Sequence, residues 1–306
     1  MSKDDRTTTA TEARATQASL LDGGAPDAAL HALLDGQVAA ANVIAHAIPA
    51  IQNAANAVTQ AVSNGRKLIY VGAGSSGLMA IADGLELPGT FGITREQICL
   101  VMAGGTASFS DIVGASDEYS PEADLRAHDI NQQDCAILVS ASGSTPYTVS
   151  AINHLKALGV TCIAIANNPD TPLLEAADIG ILLATPPEVL AGSTRLGAGT
   201  AQKITLNMLS TLAGIQLGHV HEGHMVNVIA DNEKLKKRAC RMIADITSCS
   251  NSAARLHLEQ SRGSVKIAVM LASGAKNTEV AETLLQQNEG RLGPAIEQLK
   301  NNLEHQ

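Results

Sequence analysis

Apolar residues recur at helical intervals between Asp27 and Ser63, where Leu30, Leu33, Leu34, Val38, Val43 and Ile44 punctuate an Ala-rich stretch. Pro49 starts or interrupts a helix there, and Asn64-Gly65 supplies the left-handed stop expected at a helix end. Beyond it the period changes. Lys67 to Val71, Ile98 to Ala103, Cys135 to Ser140, Val160 to Ala166 and Ile179 to Ala184 are short, nearly continuous apolar runs with helical stretches between them. Strands buried on both faces of a parallel sheet read this way. The alternation predicts an α/β fold, a doubly wound parallel sheet flanked by helices. A long helix is expected from Thr200 to Leu217, between Gly199 and Gly218. Past Lys236 the pattern turns to short polar helices, at Ser250 to Glu259, Val265 to Ala272, Asn277 to Gln287 and Leu292 to Leu299. The expected division is an N-terminal arm with helices over 1–63, a ligand-binding α/β domain over 64–235, and a small helical domain over 236–306. Residues 1 to about 26 read as a loosely docked arm.

Composition narrows the partners. Hydrophobic residues make up 45% of the chain but aromatics only 2%, with no Trp, so Ala, Val, Ile and Leu must build the core. A net charge of -9 argues against a nucleic-acid surface, which needs clustered cations. It leaves room for a small anion, because helix N-termini hold phosphate through backbone N–H groups. The five cysteines lack CxxC spacing, and Cys99, Cys135 and Cys162 lie in apolar runs, as buried free thiols do. Met1 to Gln17 is polar, without a signal-peptide core, and no apolar run approaches the ~20 residues of a membrane helix. A cytoplasmic protein without a membrane partner is expected.

Two strand ends carry similar chemistry. One reads Gly72-Ala-Gly-Ser-Ser-Gly77, the other Ser140-Ala-Ser-Gly-Ser-Thr-Pro146. Each puts small residues and hydroxyls where a strand turns into a helix, so that amides and the helix dipole face an anion. Pro146 suits a first helical turn. The candidate phosphate-binding residues are Gly74, Ser75, Ser76, Ser140, Ser142, Gly143, Ser144 and Thr145. The bland reading is a pair of tight turns, but two such loops on neighbouring strands favour a ligand. Residues 72–77 also match the dinucleotide fingerprint, yet the next strand ends in Met102-Ala-Gly-Gly105, without the acidic residue a ribose requires. His219, His221 and His224 lack the spacing of a zinc motif and suit a helix C-terminus instead. No metal and no cofactor are expected. Arg195 and Lys203 are the cations near the predicted site; Arg195, in a loop, is a candidate ligand contact.

The separated blocks are together recognisable. They are Thr11-Glu-Ala-Arg, Tyr70-Val-Gly-Ala-Gly-Ser-Ser-Gly77, Asp83-Gly-Leu-Glu-Leu-Pro-Gly-Thr-Phe-Gly92, Met102-Ala-Gly-Gly105, Ser142-Gly-Ser-Thr-Pro146 and Gly192-Ser-Thr-Arg195. Ala198 to Thr211 and Asn232-Glu-Lys-Leu235 follow. Over nearly its whole length the chain resembles the N-acetylmuramic acid 6-phosphate etherases of the sugar isomerase (SIS) superfamily. The resemblance implies a SIS-type fold, a phosphorylated amino sugar as ligand, at least a homodimer, and a place in amino-sugar metabolism and peptidoglycan recycling. It implies cleavage of the D-lactyl ether at C3 of the sugar, by ring opening, removal of the C2 proton, loss of lactate and addition of water. That chemistry needs one carboxylate as base and one carboxylic acid at the leaving oxygen. Glu86 matches the general acid. An ungapped comparison from Gly104-Gly105 puts Asp117 at the basic position, with Glu118 beside it, whereas a one-residue gap puts Ser116 there. On an unbroken helix Glu86 would lie ~15 Å from the first loop, so it either follows an early helix end or serves a partner subunit's site.

Three positions depart from the family's basic pattern: Leu78, Ser144 and Gly197. Losing those cations weakens the expected hold on phosphate, since charge-assisted hydrogen bonds are the stronger ones. A non-catalytic sugar-phosphate sensor is therefore the alternative class, and a ketose–aldose isomerase a third.

Overall fold

The computed structural model describes residues 9–21, 25–105, 120–230 and 232–304. The chain divides into two compact units, Met1–Leu85 with Arg95–Ser210, and Glu86–Thr94 with Thr211–Gln306.

The first unit opens with α1 (Pro26–Asn42) and α2 (Ile44–Ser63), bent by 45° where they meet. Pro49 lies inside α2, in its second turn, and neither starts nor ends it. The sheet follows as β1 (Leu68–Gly72), β2 (Ile98–Met102), β3 (Cys135–Ser140), β4 (Thr161–Ala166) and β5 (Ile179–Leu182). Between them run α3 (Gly74–Phe91), α4 (Pro121–Arg126), α5 (Pro146–Ala157) and α6 (Pro172–Ala176), and α7 (Gly197–Gln216) comes last. All pairings are parallel, in the order β2-β1-β3-β4-β5. The expected doubly wound sheet is present, and β1 and β3 are buried along their whole length.

The two faces are covered differently. Ile69, Val71, Ala136, Leu138 and Ala164 meet Tyr147, Ala151, Ile152 and Leu155 of α5, with Leu125 of α4 and Leu173 of α6. Burying such side chains contributes roughly 1.5–3 kcal/mol each. The alternate residues point the other way, where α3 crosses β1 and β2. That approach requires Gly84, because a methyl carbon there would fall 2.6 Å from Leu100 and 2.9 Å from Tyr70. Beside it Asp83 is buried. Its Oδ2 accepts from the Tyr70 hydroxyl at 2.7 Å, and its Oδ1 from Asn207 Nδ2 at 2.7 Å and the Ser210 hydroxyl at 3.0 Å. Three donors make the buried carboxylate tolerable. Burial first, and then the Asp83 charge, push the Tyr70 hydroxyl well above its ordinary range, so it stays a donor.

Among the described residues no single helix is long and apolar enough to cross a membrane; α1 and α2 reach that standard only as the bent pair. α2 packs on β1, β3 and β5.

The second unit contains the hairpin β6 (Val220–His221) and β7 (His224–Met225), then α8 (Glu233–Thr247), α9 (Asn251–Gln260), α10 (Val265–Ala272), α11 (Thr278–Gln287) and α12 (Leu292–Glu304). Asn232, Ser250, Ser264 and Asn277 cap α8 to α11, each side chain accepting from the amide three residues on. Ala239, Met242, Ile243, Leu258, Val265, Val269 and Leu284 lie in its own apolar core. Sequence reading had not resolved α8, whose many cations hide an apolar stripe.

His219 and Lys266 are basic groups held in that unit with little water. Burial, and then the Lys266 charge, lower the His219 pKa to about 4, and burial lowers Lys266 to about 8. His219 Nδ1 has no partner among the described residues. The unfolded chain takes up a proton at this imidazole below its ordinary 6.5, whereas the folded chain refuses it until about 4. Stability is therefore lost as pH falls from 6.5 toward 4. His219→Asn is expected to flatten the acid limb of stability over that window, measured by denaturant unfolding at pH 7.0, 5.5 and 4.5. An unchanged slope would remove His219 as the cause.

Candidate functional site at the carboxyl ends of β1 and β3

In this strand order β1 lies between β2 and β3, so the chain leaves β1 toward one face and β3 toward the other. The divergence opens a crevice at the carboxyl ends, where open α/β sheets bind ligands. Gly72 of β1 pairs with Val139 of β3, so the two small-residue loops begin side by side.

The β3 loop is a cage of hydroxyls. The Ser140 hydroxyl lies 2.8 Å from that of Thr145 and 3.4 Å from that of Ser142, and Ser142 lies 3.4 Å from Thr145 and 3.3 Å from Ser144. Gly143 N–H donates to the Ser140 hydroxyl at 3.1 Å, and Ser144 N–H to that of Ser142 at 3.2 Å. Gly143 turns the chain with φ at +69°, and a methyl carbon there would fall 2.4 Å from Thr171 Oγ1. No other residue fits. Thr145 precedes α5 without its side chain capping any amide, and Pro146 has no N–H. The amides of Tyr147 and Thr148, in the first turn, are therefore free for an anion.

The β1 loop owes its shape to three glycines. A methyl carbon on Gly72 would fall 2.6 Å from Gly77 Cα, and Gly74 takes φ +55° as α3 begins. Among the described residues nothing engages the hydroxyls of Ser75 and Ser76; Ser75 is half-buried and Ser76 nearly buried.

The N-terminal arm is exposed or half-buried over most of its described part but is pinned at Thr11. Thr11 is 3% exposed and Asn168, just past β4, is 2% exposed. Thr11 N–H donates to Asn168 Oδ1 at 3.3 Å, while Asn168 Nδ2 donates to the Thr11 hydroxyl at 2.9 Å and to the Ser142 carbonyl at 3.3 Å. One buried amide thus ties the arm to the hydroxyl loop. The polar, Ala-rich arm gave no periodic signal, because its anchoring rests on one reciprocal side-chain pair rather than on an apolar face.

Known proteins bear directly on this arrangement. A SIS-domain profile matches residues 105–212. The N-acetylmuramic acid 6-phosphate etherase of Geobacillus thermodenitrificans is 39% identical over 290 residues, covering 94% of this chain and 98% of that protein. The chain belongs to the N-acetylmuramic acid 6-phosphate etherase family. The etherase of Deinococcus radiodurans is 42% identical over 267 residues, covering 86% of this chain and 88% of that one. Among solved structures, a phosphoheptose isomerase from Francisella tularensis superposes with a TM-score of 0.43 at 20% identity, covering 62% of this chain and 94% of that one.

Within this etherase-family chain the remaining candidates fall into separate places. Arg195 and Lys203 are exposed, with no carboxylate partner among the described residues. The start of α7 is already occupied. Glu188, buried before it, accepts from Gly197 N–H at 2.9 Å and Ala198 N–H at 2.8 Å. Sequence reading missed Glu188, whose capping role has no spacing signature. Gly197 sits against this carboxylate: a methyl carbon there would lie 3.2 Å from Oε2. Glu86 is exposed on α3, which runs unbroken to Phe91. The early helix end is thereby excluded, and the ten residues from Ser76 span roughly 15 Å of helix. Asp117 and Glu118 lie outside the described residues. Among the described residues no three His, Cys, Asp or Glu side chains gather to hold a metal. Burial pushes the Cys162 thiol up to about 12 and the Cys135 thiol higher, away from reactivity.

Asn168→Asp keeps the acceptor for Thr11 N–H but removes both amide donors. Leaving the half-buried Ser142 carbonyl without its donor costs about 1 kcal/mol. The variant is expected to expose Arg14 to trypsin several-fold faster than wild type while the rest of the first unit stays resistant. Equal cleavage rates at Arg14 would show that the amide does not hold the arm.

Proposed function

We propose that this chain cleaves the D-lactyl ether of N-acetylmuramic acid 6-phosphate, giving N-acetylglucosamine 6-phosphate and D-lactate. The single observation behind the site assignment is the hydroxyl loop at the switch point, where Ser140, Ser142, Ser144 and Thr145 surround unpaired helix-start amides. The 6-phosphate enters there, with Gly143 bending the loop and Gly74, Ser75 and Ser76 closing the β1 side of the crevice. Arg195 supplies a cation, which matters more here because Leu78, Ser144 and Gly197 supply none. Neutral donors in number replace charged ones.

With the phosphate anchored, the opened sugar presents C2 and C3 to two carboxyl groups. Asp117 removes the C2 proton, and the carboxylic acid of Glu86 protonates the ether oxygen as lactate leaves. Water then adds at C3 of the resulting double bond. No redox change occurs. A homodimer brings Glu86 to the partner's crevice, which its position far along α3 makes necessary. Leu85, exposed beside it, and the exposed stripe Leu30, Leu34 and Val38 on one face of α1 offer apolar surface for a second copy. Five free thiols fit the reducing cytoplasm, where the substrate's charge would retain it.

The test is D-lactate release from N-acetylmuramic acid 6-phosphate, with the unphosphorylated sugar as control. Wild type is expected to turn over only the phosphorylated form. Removing both hydroxyls in Ser140→Ala/Ser142→Ala should raise KM by ten- to a hundredfold, at about 0.7–1.4 kcal/mol per lost hydrogen bond. Glu86→Gln should abolish turnover without changing KM. Mixing the double-serine variant with Glu86→Gln should restore part of the activity, because a mixed dimer keeps one intact composite site. Saturable binding without lactate would instead make the chain a sugar-phosphate sensor.

A further inference from the structure

The helical unit carries a cleft rich in cations. On α8, Glu233, Lys236, Lys237, Cys240 and Arg241 fall at positions i, i+3, i+4, i+7 and i+8, which is one helical face. On α9 and the turn after it, Asn251, Arg255, Leu258, Glu259 and Arg262 do the same. Both faces line a single cleft of about 610 Å³, within the range of small-molecule sites. Its floor is Ala230, Leu258 and Gly263, all buried.

The charges in it do not balance. Five cations face two carboxylates in a chain whose net charge is -9. Glu233 holds Lys236 at 3.3 Å and Glu259 holds Arg255 at 3.2 Å. Lys237, Arg241 and Arg262 are left without a carboxylate among the described residues. Three like charges around one cleft repel each other until an anion enters. Arg262 is also held in place. Its backbone takes φ +53°, a conformation that costs an ordinary residue about 1–3 kcal/mol. The next residue, Gly263, is pinned by its carbonyl accepting from Ala230 N–H at 2.9 Å, and a methyl carbon on it would fall 3.0 Å from the Ala230 carbonyl.

We propose that this cleft binds a small phosphorylated molecule, separately from the crevice in the first unit, with Lys237, Arg241 and Arg262 taking the phosphate and Leu258 and Cys240 meeting the body of the ligand. Guanidinium forks match phosphate oxygens bidentately. A nucleic-acid or lipid surface would call for a broad basic face, which the acidic chain lacks.

Equilibrium dialysis of the full chain against radiolabelled inorganic phosphate tests this by stoichiometry. Wild type is expected to take up two phosphates per chain below 10 mM. Arg241→Glu/Arg262→Glu should take up one and keep its lactate release, while Ser140→Ala/Ser142→Ala should take up one and lose lactate release at low substrate. Arg241→Gln/Arg262→Gln, which only removes charge, repeats the arm if reversal harms folding, and should weaken the second site at least tenfold. Uptake unchanged by either arginine pair overturns the proposal. So does a wild type holding one phosphate that only the serine variant loses. That last outcome would leave the etherase reading intact.

Discussion

Where β1 and β3 part company, the first-turn amides of α5 have no side-chain cap, and the hydroxyls of Ser140, Ser142, Ser144 and Thr145 close on one another beside them. Everything else in the first unit serves that condition. The parallel register sets Gly72 beside Val139, and the left-handed turn at Gly143, packed against Thr171, brings the Ser140, Ser142 and Thr145 hydroxyls together. Thr145 leaves the amides of α5 uncapped. A helix start is ordinarily satisfied by its own cap, as Asn232, Ser250, Ser264 and Asn277 do in the second unit. α1, α2 and α4 also start without a side-chain cap, so what sets the α5 start apart is the missing cap together with the hydroxyl loop beside it.

In the proposed binding mode, neutral donors in the loops do most of the holding and Arg195 adds a cation. Leu78, Ser144 and Gly197, where the resemblance implies cations, are uncharged, and the α7 amides go to Glu188. Many neutral donors can hold a dianion if their geometry is fixed beforehand. The buried tie from Thr11 through Asn168 to the Ser142 carbonyl fixes it here. The Tyr70–Asp83–Asn207–Ser210 network does the same for the first part of α3.

The sheet was legible because β1, β3 and β4 are apolar on both faces, and the two loops because glycine and serine cluster directly after apolar strands. Strand ends differed by one or two residues, as at Lys67 and Gly72. What stayed hidden depends on single polar contacts with no period. Glu188 and Asn168 lie in loops; Glu188 reaches the amides of Gly197 and Ala198 without any motif spacing, and only the fold brings Asn168 to Thr11. The stripe on α8 was masked by its own cations. Glu86 was found through family resemblance rather than geometry, and the unbroken α3 turned a question about its helix into one about its partner.

The central claim is that the start of α5 and its hydroxyl loop hold the phosphate. Amide NMR shifts during titration with inorganic phosphate test it most directly. Gly143, Ser144, Tyr147 and Thr148 should move together, saturably, and with one dissociation constant. If those four stay still while the substrate is nevertheless turned over, phosphate is held elsewhere and the account of this crevice is wrong.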